Sequence, residues 1–111
     1  MLDLVADLDA AGIPLFAITN FSAEFWAMFR PIAPVFDRFR DIVVSGEERL
    51  TKPGSAIFAL ALTRFGLAPG EGVFIDDRPE NIAAGNAAGF AGHVFINAAD
   101  TRAWLHGCHL L

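Results

Sequence analysis

Gly72-Val73-Phe74-Ile75-Asp76-Asp77-Arg78-Pro79-Glu80-Asn81 is the stretch on which the reading of this chain turns. Val73-Phe74-Ile75 is apolar without alternation, as in a strand buried on both faces, and it ends abruptly in two carboxylates. Pro79 suits the first turn of a helix running to Ala88, and Gly89 suits its stop. The same alternation extends outward. Upstream, Pro14 opens the apolar run Leu15-Phe16-Ala17-Ile18, which Thr19-Asn20 closes. Ser22 is a predicted N-cap for a helix over Ala23 to Phe29, and Ile42-Val43-Val44 is a second short strand. Ala56 to Phe65 is apolar at helical spacing and stops at Gly66. Downstream, His93-Val94-Phe95-Ile96 reads as a fourth strand and Thr101 to His106 as a last helix. Leu2, Val5 and Leu8 form a helical stripe at the start, ended by Gly12. The expected architecture is α/β: one parallel sheet of four strands near residues 15–19, 42–45, 73–76 and 93–96, covered by helices on both faces, in a single domain over residues 1–111.

Composition narrows the function. Eight basic against thirteen acidic side chains give a net charge of -5, which disfavours nucleic acid and anionic membrane as partners. Phe29, Arg30, Phe36, Arg38, Phe39 and Arg40 interleave aromatics with arginines as single-strand binding surfaces do, but they are read in preference as a half-buried helix end with arginines reaching solvent. No apolar stretch approaches the ~18 residues of a membrane span, and the first residues carry acids where a secretory leader carries bases. The single Cys108 excludes an intramolecular disulfide and suits a reducing, cytoplasmic location. His106-Gly107-Cys108-His109 matches no common zinc spacing and reads as incidental. A mean hydropathy of +0.44 is high for so short a chain and suggests apolar surface that expects a partner or a missing piece.

Ligands of open parallel sheets bind beyond the carboxyl ends of the strands. There the sequence places Thr19-Asn20 after the first strand, Lys52 after the second, and Asp76-Asp77 after the third. Taken singly, Thr19-Asn20 could cap the next helix, and Asp76-Asp77 could serve a helix N-terminus. Lys52 is the only lysine in a chain that uses arginine seven times. Together, a hydroxyl, an ammonium and adjacent carboxylates suit a phosphoryl group with Mg2+: carboxylates bind the hard cation, while Thr and Lys take phosphate oxygens.

These segments, with Val43-Val44-Ser45-Gly46-Glu47-Glu48, Lys52-Pro53 and Ala84-Gly85, resemble the haloacid dehalogenase (HAD) superfamily, in particular its phosphohydrolase branch with a cap inserted after the first core strand. The likeness runs from about Leu2 to Ile96, and the spacing from Thr19 to Lys52 and on to Asp76 is in keeping with that branch. The resemblance implies a three-layer α/β/α Rossmann-like core and a Mg2+-dependent phosphatase of a small phosphorylated metabolite, working through an aspartyl-phosphate intermediate. By the same resemblance Thr19, Asn20 and Lys52 would bind substrate, with Lys52 also neutralising nucleophile and phosphate. Asp76 and Asp77 would hold Mg2+, and Asn81 would steady the metal loop.

The family opens with a strand ending in Asp-x-Asp, whose first Asp is the nucleophile. Leu4-Val5-Ala6-Asp7-Leu8-Asp9 imitates it. A parallel strand ending at Asp7 would have to return to one starting near Leu15 in fewer residues than a right-handed crossover needs, and Asp7 and Asp9 fit the helical period, so both are expected as solvated helix positions. The resemblance therefore implies an incomplete core: its central first strand, nucleophile and cap lie outside this chain, which alone would be inactive. A missing N-terminal half or a homo-oligomer would cover the gap. Other readings are a non-catalytic relic or interaction module of the same fold, a 2-haloacid dehalogenase, and a receiver-type signalling domain. The last conflicts with the order in which Thr19, Lys52 and the acidic pair occur.

Overall fold

The computed structural model describes residues 2–111. Its elements are α1 (Leu2–Ala10), β1 (Phe16–Thr19), α2 (Ala23–Phe29), β2 (Asp41–Val44), α3 (Ser45–Glu48), α4 (Ser55–Phe65), β3 (Val73–Asp76), α5 (Pro79–Ala88), β4 (Ala91–Val94) and α6 (Ala98–Gly107), with 3-10 turns at Arg30–Ile32 and Pro34–Arg38 between α2 and β2. The local signals work as expected. Ser22 caps α2 by accepting from the Phe25 N–H at 3.1 Å. Helices α4 and α5 end at Gly66 and Gly89, both with left-handed backbone.

The sheet differs from the expected single four-stranded one. β1 pairs in parallel with β2, from Phe16 opposite Asp41 to Thr19 opposite Val44. β3 pairs in parallel with β4, from Val73 opposite Ala91 to Asp76 opposite Val94. Among the described residues no ladder joins the two pairs. The break lies between β1 and β3, whose Ile18 and Ile75 line a common cleft. β4 also starts two residues earlier than expected. The Gly92 N–H donates to Asn86 Oδ1 at 2.7 Å, and a Cβ on Gly92 would lie 2.7 Å from Ile82 Cγ2. Gly92 is what lets α5 lie against β4.

Helices cover both faces. On one side Val43 of β2 and Phe74 of β3 pack with Ile57, Phe58, Ala61 and Leu62 of α4, Ile82 of α5, and Phe90. On the other, Leu4 and Leu8 of α1 and Leu105 of α6 enclose Leu15, Ile75 and Trp104. Phe74 and Ile75, adjacent in one strand, thus enter different cores, as the two-residue period of a strand requires. The arrangement is the three-layer α/β/α one. Each fully buried apolar side chain contributes about 1.5–3 kcal/mol relative to exposure, so the two cores and not the short ladders carry the fold. Asp7 and Asp9 lie exposed on α1 and pair with Arg102 and Arg38, each at 2.7 Å. The aromatic and arginine segment packs as a turn: Trp26 meets Phe36 edge-on at 5.0 Å, and Arg30 pairs with Asp37. Among the described residues no helix is long and apolar enough to cross a membrane.

Candidate active site

Asp76 ends β3, and its carboxylate is the hub of the cleft at the carboxyl edge of the strands. Oδ1 accepts from the Arg78 backbone N–H at 2.9 Å. Oδ2 accepts from Lys52 Nζ at 2.8 Å and from Asn81 Nδ2 at 3.2 Å. Asn81 is buried in the first turn of α5, so the loop from Asp76 to α5 is closed on itself by the groups the sequence grouped there. Burial alone would raise the Asp76 carboxyl, but the Lys52 ammonium, the Arg78 N–H and the Asn81 amide together hold it below the ordinary carboxylate value. The acid is therefore ionised. With side chains 12% and 8% exposed, Lys52 and Asp76 form the least solvated of the ion pairs.

Lys52 comes from the loop between α3 and α4, where Lys52-Pro53 is a cis peptide and the Gly54 N–H donates to Thr51 O at 2.8 Å. Asn20, one residue beyond β1, holds that loop: its Nδ2 donates to Lys52 O at 3.2 Å, and the Lys52 N–H donates to its Oδ1 at 3.1 Å. The segment after Asn20 is fixed in turn by Gly46. The Gly46 N–H and the Ser45 hydroxyl both donate to Phe21 O, at 2.8 and 3.1 Å. A Cβ on Gly46 would lie 2.6 Å from the same oxygen, so no side chain fits.

The resulting cleft is about 450 Å³, lined by the polar groups of Asn20, Lys52, Asp76, Asp77, Arg78 and Asn81 and by Ile18, Ile75 and Phe95. Thr19 ends β1 opposite Val44 and lies between two lining residues without being one itself. The larger groove between α4 and α5, about 540 Å³, is lined mainly by alanines and has no titratable group. Sequence reasoning missed the apolar walls and the bonds between Asn20 and Lys52. Only the strand assignments hinted at the walls, and the paired bonds had no sequence signal.

The carboxylates of Asp76 and Asp77 fit Mg2+ in one specific manner. Among the described residues no cluster of three His, Cys, Asp or Glu side chains is arranged to hold a metal. Mg2+ is commonly held by one or two carboxylates while it keeps several waters, and that is what two adjacent acids at this edge can supply.

The model of the haloacid dehalogenase-like hydrolase family matches residues 1–89. A sesquiterpene phosphatase of Aspergillus oryzae is 28% identical over 92 residues, which make up 83% of this chain and 47% of that protein. A hydrolase from Streptococcus pneumoniae superposes with a TM-score of 0.79 at 24% identity, over 94% of this chain and 54% of its own. A wild-type HAD family enzyme from Bacteroides thetaiotaomicron, in complex with magnesium and inorganic phosphate, superposes with a TM-score of 0.74 at 26% identity, over 84% of this chain and 50% of its own. The chain spans about half the length of these relatives.

Proposed function

The chain belongs to the haloacid dehalogenase-like hydrolases, and on that premise we propose that its cleft is the phosphoryl-transfer half of a Mg2+-dependent phosphatase acting on a small phosphorylated substrate. The observation that carries this reading is the Lys52 ammonium 2.8 Å from a buried carboxylate that Asn81 and the Arg78 N–H also hold. Asp76 and Asp77 would hold Mg2+, which when bound offsets negative charge on the phosphoryl oxygens. Lys52 supplies a fixed positive charge to the same oxygens, and Thr19 a hydroxyl donor at the end of β1. Asn81 keeps Asp76 oriented. The relatives that are a phosphatase by name or hold magnesium and phosphate support this reading over dehalogenation.

The carboxylates lining the cleft are Asp76 and Asp77, both assigned here to the metal. The attacking carboxylate is therefore proposed to come from a strand outside this chain, seated in the break between β1 and β3. Its oxygen would form the bond to phosphorus as the bond from phosphorus to the ester oxygen breaks, and the leaving oxygen would take its proton from an acid of the same outside strand or from solvent water. Water would then hydrolyse the aspartyl phosphate, releasing inorganic phosphate and restoring the carboxylate. The unpaired ladder edges suit such a strand, supplied by an N-terminal half or a second copy. Residues 1–111 act on this reading as one domain in the cytoplasm.

The test is p-nitrophenyl phosphate turnover with Mg2+. Residues 1–111 alone should match buffer, and co-expression with an N-terminal half of the same family should bring turnover that Lys52→Ala and Asp76→Ala abolish. Turnover by the isolated chain would overturn the fragment reading. A reconstituted protein indifferent to Asp76→Ala would overturn the phosphatase reading in favour of a non-catalytic module.

A further inference from the structure

Asn20 is exposed at the cleft, yet its amide is engaged at both ends with one residue thirty-two positions away. Nδ2 donates to Lys52 O and Oδ1 accepts from the Lys52 N–H, so the side chain imitates a peptide group and pairs with Lys52 as a neighbouring strand would. The pairing holds main chain that belongs to no ladder. A lysine has four rotatable side-chain bonds and loses considerable rotamer freedom when its ammonium is fixed. Securing its N–H and C=O together removes the loop's contribution to that freedom and leaves Nζ within reach of Asp76. No other lysine exists in the chain to substitute for it.

The chemistry restricts which residue can do this. The side chain must present one donor and one acceptor on the same planar group, which Asn does. Asp would set a carboxylate against the Lys52 carbonyl, and Ser has a single oxygen for both partners. We propose that Asn20 is a positioning residue for Lys52: it acts on the phosphoryl group through the ammonium it presents, in place of the direct ligand role expected from sequence. This rests on the phosphatase reading of the cleft, because it assigns how that cleft's cation is delivered.

Being the sole lysine makes Lys52 its own reporter. Acetylation of the purified chain by an N-hydroxysuccinimide ester, followed by mass spectrometry of the Lys52 peptide, measures how tightly the ammonium is held. Asn20→Ala should speed acetylation about threefold to tenfold, the equivalent of one net hydrogen bond, and Asn20→Asp should speed it as well. Alkylation of the exposed Cys108 should not change in either variant, which separates release of Lys52 from general loosening of the fold. The 13C resonance of reductively methylated Lys52 should move in Asn20→Ala toward its position in Asp76→Asn, where the partner carboxylate is gone. If Asp76→Asn releases Lys52 and neither Asn20 variant does, the positioning role is overturned while the phosphatase reading stands. If Asp76→Asn also leaves Lys52 unchanged, the ion pair is not held in solution and both fall. Should Asn20→Ala fail to fold, Asn20→Asp at low temperature gives the same readout.

Discussion

Lys52 Nζ and Asp76 Oδ2, 2.8 Å apart, join the two halves of a divided sheet. Lys52 belongs to the loop between α3 and α4 on the β2 side, while Asp76 is the last residue of β3, and among the described residues no ladder connects the two pairs of strands. At that edge the division is bridged by this ion pair, whose lysine the Asn20 amide holds from the β1–β2 side, so the pair has a structural role independent of any catalytic one.

Replacing Lys52 with Met, which keeps the length and removes the charge, leaves the Asp76 carboxylate with the Arg78 N–H and Asn81 alone. The expected loss is about 1–3 kcal/mol in urea unfolding, as for a hydrogen bond to a buried charged group. Asp76→Asn in the Lys52→Met background should cost less than in the native chain. Additive losses would mean that the pair is not coupled in solution.

Stability should fall in acid partly through Asp41. Its side-chain hydrogen bond to Arg64 and the Ile42 N–H hold its carboxyl below the ordinary 3.8 against a smaller opposing effect of burial. A depressed folded value means that this contribution is full above the unfolded value and is lost as pH falls through the folded one. Urea midpoints from about pH 5 to about pH 3 should therefore decline, and more shallowly in Asp41→Asn. An unchanged slope in the variant would remove Asp41 from the acid response.

Asp7→Asn with Asp9→Asn should cost no more than about 1 kcal/mol per pair, because both acids are exposed ion-pair partners on α1. Mn2+ binding, followed by electron paramagnetic resonance, should be the same in the double variant as in the native chain. Loss of binding would return these acids to the site.

Phe58 is fully buried, with Phe74 at 5.3 Å and Phe90 at 6.4 Å between ring centroids, both nearly edge-on. Phe58→Ala should cost about 3–5 kcal/mol in chemical denaturation, since α4 and the β3–β4 pair meet around that ring. A cost under 1 kcal/mol would mean that the core closes over the cavity.

Much of the fold was legible because its signals are local. Pro79 and Gly89 bound α5, and Ser22 caps α2, because helix ends need particular backbone conformations and particular donors or acceptors within four residues. The apolar runs marked β1, β2 and β3 to within a residue, because strands covered on both faces lack polar interruptions. The residue types at the carboxyl edge followed from the same alternation, since each strand end must deliver whatever comes next in the chain.

Which edges pair was not legible. An apolar run reports burial of two faces and carries no information about its lateral neighbours, so one sheet of four strands and two ladders of two are equivalent readings of the same residues. The early start of β4 depended on Ile82 and Asn86 lying where a Cβ on Gly92 would go, a contact set by how α5 packs. The bonds from Asn20 to Lys52 and from Lys52 to Asp76 span thirty-two and twenty-four residues. A side chain's hydrogen-bonding capacity is written in its type, but the partner that satisfies it is selected by the packing of distant segments, and only the tertiary structure makes that selection.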